Sequence, residues 1–175
     1  VFTVAGEPPS KNVRGLLKGF AAALPSLGPK ARLKIAGVKP TYHATFMREA
    51  NILGIADHVD MLGYISVEEL RQYYREARVF IFASLFEGFG IPLLEAMASG
   101  TPVACSNSTS MPEVIGSCGL MFDPRSIEDM ANKLHLAWVD STERTARSLA
   151  AIERAREFSE ATVSRQMSAF WKRLS

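Results

Sequence analysis

Six short apolar runs recur along the chain, at residues 1–5, 32–36, 59–62, 79–83, 102–105 and 119–122. Most are rich in β-branched or aromatic residues and end at Gly, Pro or a polar turn, the pattern of buried strands. Between them the apolar positions change to helical spacing. Val13, Leu16, Leu17, Phe20 and Leu24 mark a helix over residues 13–24, and further helices are predicted over 41–53 and 67–77. Ser66 with Glu69 three residues on forms a capping box that opens the last of these. Pro92 starts another helical pattern, 93–98, which Gly100 stops, and residues 112–115 make one more turn before Gly116. From 126 to 175 the pattern is helical with no further strand. Ile127, Met130, Leu134 and Trp138 form one apolar face, Ile152 and Phe158 mark a second helix, and Val163, Met167, Phe170 and Trp171 a third. Strands alternating with helices predict an α/β fold: a doubly wound, Rossmann-like parallel sheet of about six strands with helices on both faces. No repeat, low-complexity run or linker divides it, so residues 1–175 are read as one domain.

Chemistry concentrates between the fourth and fifth strands, in SLFEGFGIPLLEAMASG. Gly88 and Gly90 flank Phe89, and glycine lets a backbone approach a ligand closely or adopt φ > 0. Pro92 suits a helix start, and the free N–H groups of that first turn favour an anion or strong acceptor. Glu87 stands where the fourth strand's carboxyl end meets the loop, the usual ligand position in open α/β sheets. Glu95 lies one turn into the helix, on the face of Ile91, where a carboxylate can accept from paired hydroxyls such as those of a ribose. Ser84 opens the loop and can donate to a phosphate or sugar. The plainer alternatives are a solvated Glu87 and a Glu95 that stabilises its own helix. After the first strand, GEPPSKN leads into the first helix, so Lys11 and Asn12 occupy an equivalent position, and a lysine there can reach a phosphate as a point charge. On this topology Lys11, Tyr64, Ser84, residues 87–91 and Glu95 should converge at the carboxyl ends of the strands.

The segment EGFGIPLLE, with carboxylates spaced E-x7-E, resembles the motif of retaining glycosyltransferases of the GT-B fold, family 4 in particular. AMASGTPVACSNSTSMPEVIG and GLMFDP are similar to that family's continuation, so the resemblance covers essentially the whole chain as the C-terminal, nucleotide-sugar-binding half. The resemblance implies that Glu95 holds the ribose hydroxyls and that backbone N–H groups of Phe89, Gly90 and Ile91 contact donor sugar or phosphate. Lys11 would neutralise the diphosphate leaving group, and Glu87 would orient donor sugar hydroxyls beside the anomeric carbon. Front-face attack with the leaving phosphate as base needs no protein nucleophile, and neither metal nor cofactor is expected. The turn Gly63, Tyr64, Ile65 would lie near the nucleobase, with Tyr64 either stacking on it or packing on a helix. The family usually carries an Arg five residues before the Lys; here that position is Gly6. The P-x-K-N loop, Pro9 to Asn12, is closer to a bacterial mannosyltransferase subgroup, which favours GDP-mannose over a UDP-sugar as donor. The family also more often has Pro-Ser where this chain has Ala83-Ser84. The final helix of GT-B enzymes often crosses back to the N-terminal domain, which would make Trp171 a docking residue rather than core.

Composition narrows the alternatives. A hydrophobic content of 47% and a charged content of 22% are those of a soluble globular protein. A net charge of +2 gives no argument for nucleic acid. Cys105 and Cys118 match no metal or disulfide spacing, which points to a reducing, cytoplasmic setting. The chain opens on a strand without Met, read as a fragment whose missing N-terminal half would hold the glycan or lipid-linked acceptor. Any contact with the inner face of a membrane is left to that half, and the fragment alone is expected to turn over no donor. His43, His58 and His135 lie in none of the motif loops, and Glu113 is read as structural. A non-hydrolysing sugar-nucleotide epimerase shares the architecture but would need a titrating partner for Glu87. A nicotinamide dehydrogenase needs G-x-G-x-x-G after the first strand, which GEPPSKN does not supply. A non-catalytic binding module is the remaining alternative, and the intact Glu87/Glu95 pair argues against it.

Overall fold

The computed structural model describes residues 1–139 and 141–174, with side chains described except at 141, 142, 166 and 169–174. The elements are β1 Phe2–Val4, α1 Val13–Leu27, β2 Leu33–Ala36, α2 Pro40–Ile52, β3 Val59–Gly63, α3 Val67–Glu76 and β4 Phe80–Phe82. They continue with α4 Ile91–Ala98, β5 Val103–Ser106, α5 Met111–Ile115, β6 Leu120–Phe122, α6 Ile127–Val139, α7 Ser141–Glu157 and α8 Glu160–Leu174. All six predicted strands form. Boundaries differ by a residue or two except in α1, which runs on through Pro25 to Leu27. Pro25 has no N–H to offer the carbonyl of Ala21, so the last turn of α1 forms without that intrahelical bond. The side chains of Phe170 and Trp171 lie outside the described residues, and with them the question of a docking role for Trp171.

The strand order is β3-β2-β1-β4-β5-β6, and every pairing is parallel. The chain winds outward from β1 to β3, returns to set β4 beside β1, and winds outward the other way. Connections therefore leave the neighbours β1 and β4 in opposite directions. Their carboxyl ends form the switch point, outside which sheets of this kind take ligands in a crevice.

Side-chain alternation along the strands sorts the core into two layers. Phe80 and Phe82 of β4, with Phe2, Val103 and Cys105, face Tyr74, Leu93, Met97, Met111 and Ala151 from α3, α4, α5 and α7. Ile81, Leu33, Ile35 and Ala104 face the other way, onto α1, α2 and α6. Phe2, Tyr73, Tyr74, Phe80 and Phe82 form a run of ring contacts with centroids 5.3 to 6.0 Å apart. These rings fix β1 against β4, the pair whose loops define the crevice. Among the described residues no helix is long and apolar enough to cross a membrane.

Candidate functional site

The loop after β1 is held in a tight form by its own sequence. Pro8 takes an extended backbone, residues Pro9–Lys11 make one 3-10 turn, and Asn12 closes it in the left-handed region at φ 55°. Asparagine is among the few side chains that tolerate that conformation. Its amide then reaches away from the loop. Asn12 Nδ2 donates to Ala83 O at 3.1 Å and to Pro124 O at 2.9 Å, joining the segments after β1, β4 and β6. Leu85 N donates to Ser10 O at 2.7 Å, a second tie between the β1 and β4 loops.

These ties place Lys11 beside Glu87. Lys11 Nζ lies 2.6 Å from Glu87 Oε1, and Ser84 Oγ donates to the same oxygen at 2.7 Å. Ser84 is 2% exposed, and the Glu87 side chain is 12% exposed against 31% for Lys11. Glu87 is thus not the solvated loop residue of the plainer reading. The Oε2 atom bonds to none of the described residues. The backbone of Glu87 is held as well: its N–H donates to Thr109 Oγ1 at 3.2 Å, and its carbonyl accepts from Ser110 Oγ at 3.2 Å.

Gly90, at φ 93°, turns the chain into α4 with no side chain capping the helix. Among the described residues, the N–H groups of Phe89, Gly90 and Ile91 have no acceptor, so the start of α4 is open to one. Phe86, Phe89 and Ile91 around it are exposed. Glu95 makes no bond to the first turn of α4. Its Oε2 instead accepts from Tyr74 Oη at 2.9 Å. Tyr74 is 2% exposed, and burial, reinforced by the neighbouring carboxylate, pushes its phenol well above the usual range. It remains a hydrogen donor throughout physiological pH and fixes one oxygen of Glu95.

The turn after β3 places Gly63 buried, Ile65 half-buried against the second core layer, and Tyr64 68% exposed. That exposure shows that Tyr64 is not buried against a helix. His43, distant from every motif loop in sequence, borders this turn. Its Cε1 lies 3.5 Å from where a Cβ on Gly63 would stand, and its Nε2 pairs with Val38 O at 3.0 Å. Beside Gly6, Glu7 meets Lys39 at 2.8 Å, which holds the Glu7 carboxyl below its ordinary range. Among the described residues no group of three or more His, Cys, Asp or Glu is placed to hold a metal ion. Four contributors went unread in the sequence: Asn12 as a tie, Tyr74, Thr109 and Ser110. Only Asn12, a polar residue just before an apolar helix, carried any signal.

A doubly wound parallel sheet with a lysine, a serine and a glutamate meeting at its switch point is an α/β domain with polar groups gathered where such sheets take ligands. Comparison with known proteins narrows it: residues 1–157 match the family described as glycosyl transferases group 1, and the chain belongs to that family. It is 32% identical over 151 residues to the O-antigen chain mannosyltransferase B of Escherichia coli, covering 86% of this chain and 40% of that protein. It is 34% identical over 146 residues to a GDP-mannose-dependent alpha-(1-6)-phosphatidylinositol monomannoside mannosyltransferase of Mycobacterium tuberculosis, covering 77% of this chain and 38% of that protein. The chain thus spans about 40% of the length of these curated relatives. Among solved structures it resembles the C-terminal domain of a glycosyl transferase group 1 family protein from Francisella tularensis, with TM-score 0.77 and 23% identity over 89% of this chain and 83% of that one. HepE of Anabaena, solved with UDP and glucose, matches with TM-score 0.83 and 20% identity over 98% of this chain and 48% of that one. The fold is that of the GT-B glycosyltransferases.

Proposed function

We infer that this chain is the donor-binding half of a retaining, metal-independent glycosyltransferase that moves a hexose from a nucleoside diphosphate sugar. A separate N-terminal domain would hold a glycan or lipid-linked acceptor. The observation that carries this reading is the Glu87 carboxylate. One oxygen is fixed by Ser84 and Lys11, and the other, unbonded among the described residues, lies at the switch point beside the uncapped start of α4. A carboxylate so held can accept from donor sugar hydroxyls with little reorganisation. Lys11 has two tasks there. It offsets the charge of Glu87, which would otherwise repel a diphosphate, and it stabilises the phosphate oxygen that leaves. The free N–H groups of Phe89, Gly90 and Ile91 supply part of the anion binding that an Arg at Gly6 would have given. Glu95, with Oε2 held by Tyr74, presents Oε1 to ribose hydroxyls, and Tyr64 is exposed on the turn assigned to the base.

In the transfer, the bond from the anomeric carbon to the β-phosphate oxygen breaks. The acceptor hydroxyl oxygen bonds on the same face, and its proton passes to the leaving phosphate. GDP-mannose is the favoured donor, on the Pro9–Asn12 loop and on the GDP-mannose dependence in the name of the mycobacterial relative.

The test is calorimetric titration with GDP, UDP, ADP and their mannose and glucose conjugates. Selective binding of one nucleoside diphosphate, lost in Glu95→Ala and weakened in Lys11→Ala far more than binding of the bare nucleoside, is the expected result. Glu87→Gln in the Lys11→Ala background should recover part of the loss by removing the negative charge that Lys11 no longer offsets. Binding unchanged in Glu95→Ala, with a large fall in melting temperature, would overturn the assignment.

A further inference from the structure

Phe89 lies between two glycines, 47% exposed, in a loop with little intrinsic stiffness. Among the described residues its ring partner is Phe158, edge-to-face with centroids 5.8 Å apart at 70°. Phe158 belongs to neither sheet layer. It stands at the corner between α7 and α8, and that corner is well tied. Phe158 N donates to Ala155 O at 3.1 Å, Ser159 N to Arg156 O at 3.1 Å, and Thr162 N to Ser159 O at 3.0 Å. Thr162 Oγ1 adds a bond to Arg156 O at 3.2 Å.

The guanidinium of Arg154 lies over the Phe158 ring, 4.9 Å from its centroid. The same group donates to Val114 O at 3.2 Å and Glu113 O at 2.6 Å, near the carboxyl end of α5, where a cation is favoured. The α5 helix begins directly after Thr109 and Ser110, the residues that hold the Glu87 backbone. The body of α7 is seated on α4: Ala151 is buried, and Ile152 Cδ1 lies 3.2 Å from the Cβ position of Gly100, just past the end of α4. The end of α7 and the corner after it therefore contact both segments that shape the crevice, the α5 segment through Arg154 and the glycine loop through Phe158.

We propose that Phe158, backed by Arg154, is a positioning residue for the glycine loop: it holds Phe89 in one conformer and so aims the N–H groups of residues 89–91 into the crevice. The role rests on reading those groups as contacts to the donor diphosphate. It touches no substrate and acts only through Phe89.

The test compares the wild-type chain with Phe158→Ala and with the conservative Phe158→Tyr, by two measurements. In amide hydrogen exchange, Phe158→Ala should speed exchange of the bonded amides of this loop, Leu85 and Glu87, at least about threefold while exchange in β5 stays unchanged. In calorimetry, it should weaken the nucleoside diphosphate bound best by the wild type about three- to tenfold, the loss of one edge-to-face ring pair. Affinity for the matching nucleoside should stay within about twofold, and Phe158→Tyr should restore both readouts. Unchanged exchange at Leu85 and Glu87 would overturn the proposal. So would equal losses for diphosphate and nucleoside with a lowered melting temperature, which mark a purely structural residue. A wild-type chain that binds no nucleoside diphosphate would refute the functional reading, and the exchange comparison would still decide the positioning role.

Discussion

Gly15→Ala should destabilise this protein, against the usual sign of that substitution in a helix. Gly15 is the third residue of α1, and alanine there would ordinarily gain about 0.5–1 kcal/mol of helix stability. Here an added Cβ would stand 2.3 Å from Asn12 Oδ1 and 2.7 Å from both Cγ and Nδ2. The Asn12 amide must move, and both of its hydrogen bonds, to Ala83 O and Pro124 O, are at stake. Each such bond contributes about 0.5–1.5 kcal/mol net, so losing the pair costs about 1–3 kcal/mol. After the propensity gain, the expected outcome is a net loss of about 1 kcal/mol, within a span of about 0–2.5 kcal/mol. Urea unfolding followed by circular dichroism measures it, with an unchanged denaturant slope showing that stability alone has moved. The decisive arm is the same substitution in an Asn12→Ala background. With the amide gone the clash is gone, and Gly15→Ala should then stabilise by about 0.5–1 kcal/mol. A substitution that stabilises equally in both backgrounds would show that the Asn12 side chain relocates without cost. It would also show that the three-loop tie holds nothing.

Two further outcomes follow from individual contacts. Tyr74→Phe should lower stability by about 1 kcal/mol through the lost bond to Glu95, and should weaken nucleotide binding because Glu95 is then free to turn; unchanged affinity in calorimetry would show that Glu95 needs no orientation. Asp60, paired with Arg32 through both carboxylate oxygens, has its carboxyl held below the ordinary range chiefly by that hydrogen bonding. Its contribution is therefore present above the unfolded pKa near 4 and is lost as pH falls through the lower folded value. For so exposed a pair about 0.2–1 kcal/mol is expected. The stability gap between wild type and Asp60→Asn should thus be seen at pH 6 and close below about pH 4; a gap that widened on acidification would reverse the sign.

The strands and the motif loops were legible because each is a local pattern. Apolar runs bounded by turn residues gave β1 to β6, and glycines around Phe89 followed by Pro92 gave the loop and the start of α4. That Lys11 meets Glu87, 76 positions apart, was readable only as a consequence of topology: both follow strands, and β1 and β4 are neighbours in a doubly wound order. What escaped were partners whose role depends on direction rather than position. Tyr74 sits in α3 as one of two adjacent tyrosines, and nothing in its spacing says that its hydroxyl faces Glu95. Thr109 and Ser110 fall in a polar stretch with no period, and their bonds to Glu87 follow from β5 lying beside β4.

His43 borders the Gly63 turn because α2 packs beside the carboxyl end of β3, which no local pattern encodes. The distinction matters for the chemistry. A motif identifies two carboxylates, but a carboxylate with both oxygens taken by the protein is structural, and one with both free is merely solvated. Glu87 and Glu95 each have one oxygen fixed and one open among the described residues. That division sets a direction for each group, and the residues that create it come from three separate segments: Lys11 from the loop after β1, Ser84 from the loop after β4 and Tyr74 from α3.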